Sequence, residues 1–578
     1  MQVTLVETPV NIERLLQIAR GDRPADLLFR DTRLVNVFAG EVVRTDFAVA
    51  DGHVVGFGTY AAEEVIDLAG RIVAPGFIDA HVHIESAMVG PAQFARAVLP
   101  QGTTTVIADP HEIANVLGST GIDYMLTAGR HAPLNFFFSL PSCVPATHME
   151  TAGARLTTAE LSAYATHPRI VALAEMMNYP GVVNADPDVL AKIATLRAAG
   201  KPVDGHAPGL AGALLHAYLV PGIGSDHECT TAAEATEKLA AGMHIMVREG
   251  TGARNLNDLL PMITDRTARR MMWCTDDRHC HDLLAQGHIA GMMRRAVDAG
   301  MDPIVAIQMA TLNPAEYFRL DRVGAVAPGR RADLVVLDDL RDPQVRDVYF
   351  GGRLAARDGQ LVEMGFATPV DPVPSSMHVA ADQLDFRVPA TGRRMRMIQV
   401  VPDQIVTRSI VVDAVIREGL AVADPDQDIA KIAVVERHQG SGRIGLGFVR
   451  GFGLRRGTLA GTVAHDSHNI IVVGVRDADM HAAVVELVHM GGGLVAVDQG
   501  KTIARLALPV AGLMSGLSVE GVCGRLDGLL DAARGLGTSL ADPFMTLSFM
   551  ALPVIPDLKL TDHGLVDVGA FNVVPLFV

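Results

Sequence analysis

The stretch Pro75 to Ser86, PGFIDAHVHIES, places His81 and His83 two residues apart at the end of an apolar run, with Glu85 next on the same parity. Side chains on a β-strand alternate faces, so residues i, i+2 and i+4 point the same way. Two imidazoles and a carboxylate would then face one spot, a donor set suited to a cation. The same pattern, a polar group late in a short apolar run, recurs with Glu175 in IVALAEMM, His206 in PVDGHAPG, His227 in GIGSDHE and Asp276 in MMWCTDD. One histidine ending a strand is ordinarily a hydrogen-bonded core or surface group. Coincidence at five runs argues for a metal site.

Four imidazoles and two carboxylates suit a borderline divalent ion, and six protein ligands can hold two ions with Glu175 as the bridging carboxylate. The chemistry expected of such a pair is a water made acidic enough to attack an electrophilic carbon near neutral pH. Asp276 is the expected general base, taking the water's proton and passing it to the leaving group.

Eight runs must position these groups: GFIDAHVH, TTTVIADPH, NFFFSLPS, IVALAEMM, PVDGHAPG, GIGSDHE, HIMVREG and MMWCTDD. Helical stretches such as DPDVLAKIATLRAAG lie between them, which is the signature of repeated βα units. The fold class expected is α/β: a metal-dependent (β/α)8 TIM-like barrel over 75–322, with its active site at the C-terminal ends of the strands. Residues 1–74 are expected to hold an N-terminal segment and the first part of a small flanking β-sandwich, and 323–365 its second part. A Pro-rich linker is expected over 366–389 and a C-terminal α+β domain over 390–578.

The chain has 578 residues, too many for one core, and 49% hydrophobic against 20% charged residues describes an ordinary folded protein. A net charge of -16 without any long Lys/Arg run argues against a nucleic acid partner. No signal pattern or apolar span of membrane length is evident, so a cytoplasmic location without membrane contact is expected. Five cysteines, never in a C-x-x-C arrangement, indicate reduced thiols in packing roles.

PGFIDAHVHIES, the eight-strand order and MATLNPAEYFRLDRVGAVAPGRRADLVVLDD resemble the amidohydrolase superfamily. ADPHEIANVLG, LAEMMNYPGV, DGHAPG, GIGSDHE, CTDDRH and the C-terminal AHDSHNIIVVG together resemble its bacterial-type adenine deaminases, over nearly the whole chain. The resemblance implies hydrolytic deamination of adenine to hypoxanthine and ammonia in purine salvage. It also implies a binuclear centre of two divalent ions (Mn2+, Fe2+ or Zn2+, manganese favoured) on His81, His83, Glu175, His206, His227 and Asp276. The expected partners are a nucleobase substrate and further copies of the chain. Where the zinc adenosine deaminases carry H-A-G-E, this sequence reads HAPG, so the acid that protonates the purine ring must come from elsewhere.

Several residues are candidates to hold the base. Glu85 extends the first-strand face; dihydroorotases of the same superfamily carry an arginine at that place for a substrate carboxylate, and a glutamate suits the N–H groups of adenine. Asp109, His111 and Glu112 follow the second strand, where His111 or Asp109 can hydrogen-bond the ring or relay a proton, although helix capping also explains Asp109. Glu228 is turned away from the metals by alternation if the strand continues that far, and so ranks lower as the acid for the ring. Asp277 has the wrong parity too, and Arg278, His279 and His281 read as loop and capping groups. AHDSHN, with His465, Asp466, His468 and Asn469, is read first as a structural turn and second as part of the site. The rival functions are cyclic-amide hydrolysis of the dihydroorotase or hydantoinase type, against which Glu85 argues, and an inactive barrel serving as a scaffold.

Overall fold

A computed structural model of the chain describes residues 11–362, 373–402 and 404–578. Residues 1–10 of the expected N-terminal segment, 363–365 of the expected second sandwich part, 366–372 of the expected linker and residue 403 of the expected C-terminal domain lie outside them. Each of the eight apolar runs forms a strand: β1 (Phe77–His83), β2 (Thr103–Ala108), β3 (Asn135–Leu140), β4 (Ile170–Met176), β5 (Val203–Gly205), β6 (Ser225–Asp226), β7 (His244–Arg248) and β8 (Met271–Cys274). They pair in parallel in chain order, β1 through β5 in one sheet and β6 through β8 in another. Two residues past the end of β8, Asp276–Asp277 pairs with β1, Asp276 opposite Val82 and Asp277 opposite His83. The chain thus ties the second sheet to the first, and the parallel strands curl around a common interior. Every residue of β1, β2 and β4 is buried, as a sheet covered on both faces requires.

Capped helices separate the strands. The Asp186 carboxylate accepts the Asp188 and Val189 N–H groups at the start of Pro187–Ala198, and the Thr231 hydroxyl accepts from Glu234 N at the start of Ala232–Ala240. Both helices run out into glycines with positive φ, Gly200 (75°) and Gly242 (102°), a conformation that costs a residue with a Cβ.

The β-rich runs on either side of the parallel sheet join in one mixed sheet of nine strands. Its junction is antiparallel, Ile72–Pro75 against Leu334–Leu337, with Val73 opposite Val336. Beyond residue 390 an eight-stranded sheet is packed by helices Asp477–Met490 and Val519–Leu536. This part is not detached: Asn469 donates to Thr151 O (2.7 Å), and Thr151 donates to both carboxylate oxygens of Asp562, from N (2.9 Å) and from Oγ1 (2.7 Å). Among the described residues no helix is long and apolar enough to cross a membrane. All five cysteines are free and buried.

Candidate active site

Strand ends bring His81, His83, Glu175, His206, His227 and Asp276 into one buried cluster, none of them more than 6% exposed. Glu175 lies at its centre with its two oxygens turned to different histidines. Oε1 is 3.3 Å from His83 Nε2 and 3.7 Å from His81 Nε2, while Oε2 is 2.6 Å from His206 Nδ1 and 3.2 Å from His227 Nε2. On the first side Asp276 Oδ1 stands 3.0 Å from His83 Nε2 and 3.3 Å from His81 Nε2. The two Nε2 atoms are themselves only 3.1 Å apart. His83 Nδ1 lies 3.1 Å from the Asp109 carbonyl, which can only accept, so the proton sits on Nδ1 and Nε2 keeps its lone pair for the cluster.

This donor set fits divalent ions. Ligand atoms of His81, Glu175, His227 and Asp276 lie within 4.8 Å of one another, and His206 Nε2 is a buried ring nitrogen without a protein partner. Burial alone would push the Glu175 carboxyl up, but the imidazoles of His227 and His206 hold it well below the ordinary carboxylate range. Asp276 is likewise held down against burial, by His81, His83 and then Arg248.

Arg248 is not among the residues the sequence singles out, though it closes the apolar run HIMVREG as the other site residues close theirs. It is 2% exposed and ties two carboxylates together. Nη2 donates to Glu228 Oε2 (2.9 Å), Nη1 donates to Asp276 Oδ2 (2.9 Å), and Nη1 also reaches Glu228 Oε1. Glu228 therefore faces the site, 3.4 Å from His227 Nε2 and 3.6 Å from His206 Nδ1, since the strand does not continue far enough for alternation to turn it away. The reason is that β6 ends at Asp226, so strand parity no longer applies. Against the push of burial, Arg248 and His206 hold the Glu228 carboxyl far below its usual value. Asp277 is a correction, since it lies beside Asp276 and His83. Asp276 has φ +56°, and this left-handed residue breaks the alternation that would have separated the two side chains.

Glu85 lies past the end of its strand rather than on it. The strand stops at His83 and the chain enters a 3-10 turn, Ile84–Ala87, so Glu85 leaves the face of the two histidines. Its carboxylate accepts the Ile113 N–H (3.2 Å), and burial with Glu112 nearby pushes it up to about 7. The cavity at the strand ends is walled by His111, Glu112 and Glu228 among others, and not by Glu85 or Asp109. Asp109 instead holds His111, with Oδ1 accepting its N–H and Oδ2 lying 3.1 Å from Nδ1. His279 sits at the N-terminal cap position of Cys280–Ala285, but its side chain caps no backbone N–H and pairs with Asp542 (2.9 Å) instead.

The same cavity is lined from the C-terminal part by His465, Asp466, Phe549, Leu552 and Ile555. The AHDSHN segment thus belongs to the site, contrary to the reading that put structure first. His465 Nδ1 is 2.8 Å from Glu112 Oε1, and His468 Nε2 reaches Glu112 Oε2.

The Amidohydrolase family model matches residues 72–355, and the Adenine deaminase C-terminal domain model matches 404–572. The adenine deaminase of Desulfatibacillum aliphaticivorans is 55% identical over 569 residues, covering 98% of this chain and 99% of that protein. The chain belongs to the adenine deaminase family. A second member, from Methanothrix thermoacetophila, is 51% identical over 98% of this chain and its own full length. A crystal structure of an adenine deaminase aligns with 58% of this chain and all of its own, at 18% identity and a TM-score of 0.44. Both matched segments of this adenine deaminase family chain wall the cavity: the metal-type cluster lies in 72–355, and His465, Asp466 and Phe549 lie in 404–572.

Proposed function

We propose that the chain hydrolyses adenine to hypoxanthine and ammonia at the cavity between the curled parallel sheet and the C-terminal part. The observation that carries this reading is near-full-length identity of 51–55% to adenine deaminases, together with a cavity built from both matched segments. The sheet order supports an eight-stranded barrel with a flanking sandwich, and the division at 75–322, 323–365 and 390–578 remains our reading of the domains.

His81, His83, Glu175, His206, His227 and Asp276 would hold two divalent ions, of manganese, iron or zinc; the two Glu175 oxygens face different histidines of this set. When bound, these ions supply the acidity that readies a water for attack on C6 of the base. Asp276, steadied by Arg248, takes the proton that the water releases and returns it to the departing amine. Glu228, kept ionised by the Arg248 fork, is an acceptor suited to the exocyclic N–H. That state makes it a poor acid. His111, whose Nδ1 is engaged by Asp109, is better placed to donate a proton from Nε2 to the ring.

Cyclic acidic amides fit less well, because Arg248, the buried arginine of the cavity wall, already spends its fork on Glu228 and Asp276. The test is to give the metal-supplemented protein adenine, adenosine, cytosine and dihydroorotate, following ammonia release and ultraviolet spectra. Turnover of adenine to hypoxanthine is expected; turnover of dihydroorotate alone would replace this reading by the amide hydrolase.

A further inference from the structure

We propose that His465 and Asp466 bind the N3/N9–H edge of the purine, with Asp466 selecting the free base over its nucleosides. This rests on the adenine reading above. Both residues are 2% exposed, line the cavity, and carry an atom with no protein partner: Nε2 of His465 and Oδ2 of Asp466. A buried polar atom left unmatched is costly, so a ligand that satisfies both is favoured.

The His465 ring is fixed from two sides. Phe549 stacks on it (centroids 4.5 Å apart, planes at 13°), and its Nδ1 faces Glu112 Oε1, an acceptor that requires a proton on Nδ1. Glu112 is pinned in turn by His468. Because His468 Nδ1 accepts the Ala464 N–H (3.1 Å), its Nε2 carries the proton that points at Glu112. The same argument removes Glu112, His465 and His468 as a third metal site, since His468 Nε2 has no lone pair to give. What remains is a rigid mount that aims His465 Nε2 into the cavity.

The orphaned pair matches the purine edge remote from C6. Adenine offers an acceptor at N3 and, next to it, a donor at N9–H. Asp466 accepts only, and His465, beside the carboxylates of Glu112 and Asp466, donates from Nε2 in its charged form. The position also fits. His111 spans the gap, with Nδ1 3.6 Å from Glu175 Oε1 and Nε2 3.8 Å from Asp466 Oδ1, so one imidazole width and two contacts separate the metal-type cluster from Asp466. A bicyclic base with C6 at the cluster reaches Asp466 with its far edge. In adenosine N9 carries the sugar, which removes the donor and sets bulk against a buried carboxylate.

The experiment compares wild type and Asp466→Ala, both metal-loaded, on adenine and 9-methyladenine, with metal content measured in each. Calorimetry of purine and 9-methylpurine, which have no amine to lose, gives affinity apart from turnover. Asp466→Ala should lose roughly ten- to hundredfold in kcat/KM for adenine and a similar factor in purine affinity, as loss of a charged hydrogen bond predicts. Values for the 9-methyl compounds should hold or rise, and metal content should stay at the wild-type level. Equal losses for both compounds, or an unchanged preference, would overturn the proposal. Should the alanine variant fail to fold, Asp466→Asn decides: an amide, which can present NH2 as well as an oxygen to N9–H where the carboxylate only accepts, should still lower the preference for adenine. Wild type inactive on adenine would sink the proposed function, while the purine and 9-methylpurine affinities would still judge this edge contact separately.

Discussion

Arg248→Met removes a buried guanidinium and leaves two carboxylates behind. In the native site Arg248 donates to Glu228 Oε2 and to Asp276 Oδ2, each at 2.9 Å, at 2% exposure. Breaking a buried pair from one side costs about 3–5 kcal/mol, because the remaining charge stays desolvated. The cations that His227 and His206, within 3.6 Å of Glu228 Oε1, would hold in the metal-saturated protein offset part of that, so about 3 kcal/mol is expected. The cost resides chiefly in Glu228, since Asp276 keeps His81 and His83 beside it. Neutralising Glu228 should therefore relieve it, and Arg248→Met/Glu228→Gln should recover at least half of the lost stability. Urea unfolding of the metal-saturated wild type, both single variants and the double variant supplies the cycle, with the coupling read as the departure from additivity. A double variant as unstable as the sum of the singles would refute the claim that Arg248 serves to balance Glu228.

Three further outcomes are expected. Asp276→Asn should lose roughly two or more orders of magnitude in kcat with a much smaller change in substrate affinity, because an amide occupies the place without accepting the proton; near-native kcat would remove Asp276 as the base. Glu85→Gln should keep the ratio of kcat/KM for adenine to that for 9-methyladenine, since the Glu85 carboxylate accepts from Ile113 N and does not wall the cavity; a changed ratio would return Glu85 to the substrate pocket. Lys559, buried and donating to Ile405 O (2.8 Å) and Phe549 O (2.9 Å), is pushed down by burial to about 7. The unfolded chain keeps that proton up to about 10.4, so this group makes stability rise with pH from about 7 to 10, by up to about 4 kcal/mol. Lys559→Met should flatten that rise in unfolding midpoints measured across the range, and an unchanged slope would count against it.

The strand ends were legible because each apolar run is closed by a group that a buried sheet would not otherwise tolerate, as His81, His83, Glu175, His206, His227 and Asp276 all show. Arg248 obeyed the same rule in HIMVREG and was readable there. What failed was parity carried past the strand ends. Alternation holds only while the backbone is extended, and β1 stops at His83, β6 at Asp226, and the eighth strand turns at Asp276 with its positive φ. Glu85, Glu228 and Asp277 each lie just past such a point. No local pattern marks the His465 and Asp466 contribution: His468 meets Glu112 across 356 positions of sequence, a pairing that only the packing of the C-terminal part on the parallel sheet creates.

The most direct test is a titration of Mn2+ into the metal-free chain, with hypoxanthine and ammonia formed from adenine measured at each step. Six buried ligands arranged about the two oxygens of Glu175 predict activity that climbs with added metal and levels off at two equivalents. Full activity at one equivalent would contradict the binuclear centre, and no hypoxanthine at any metal load would contradict the account as a whole.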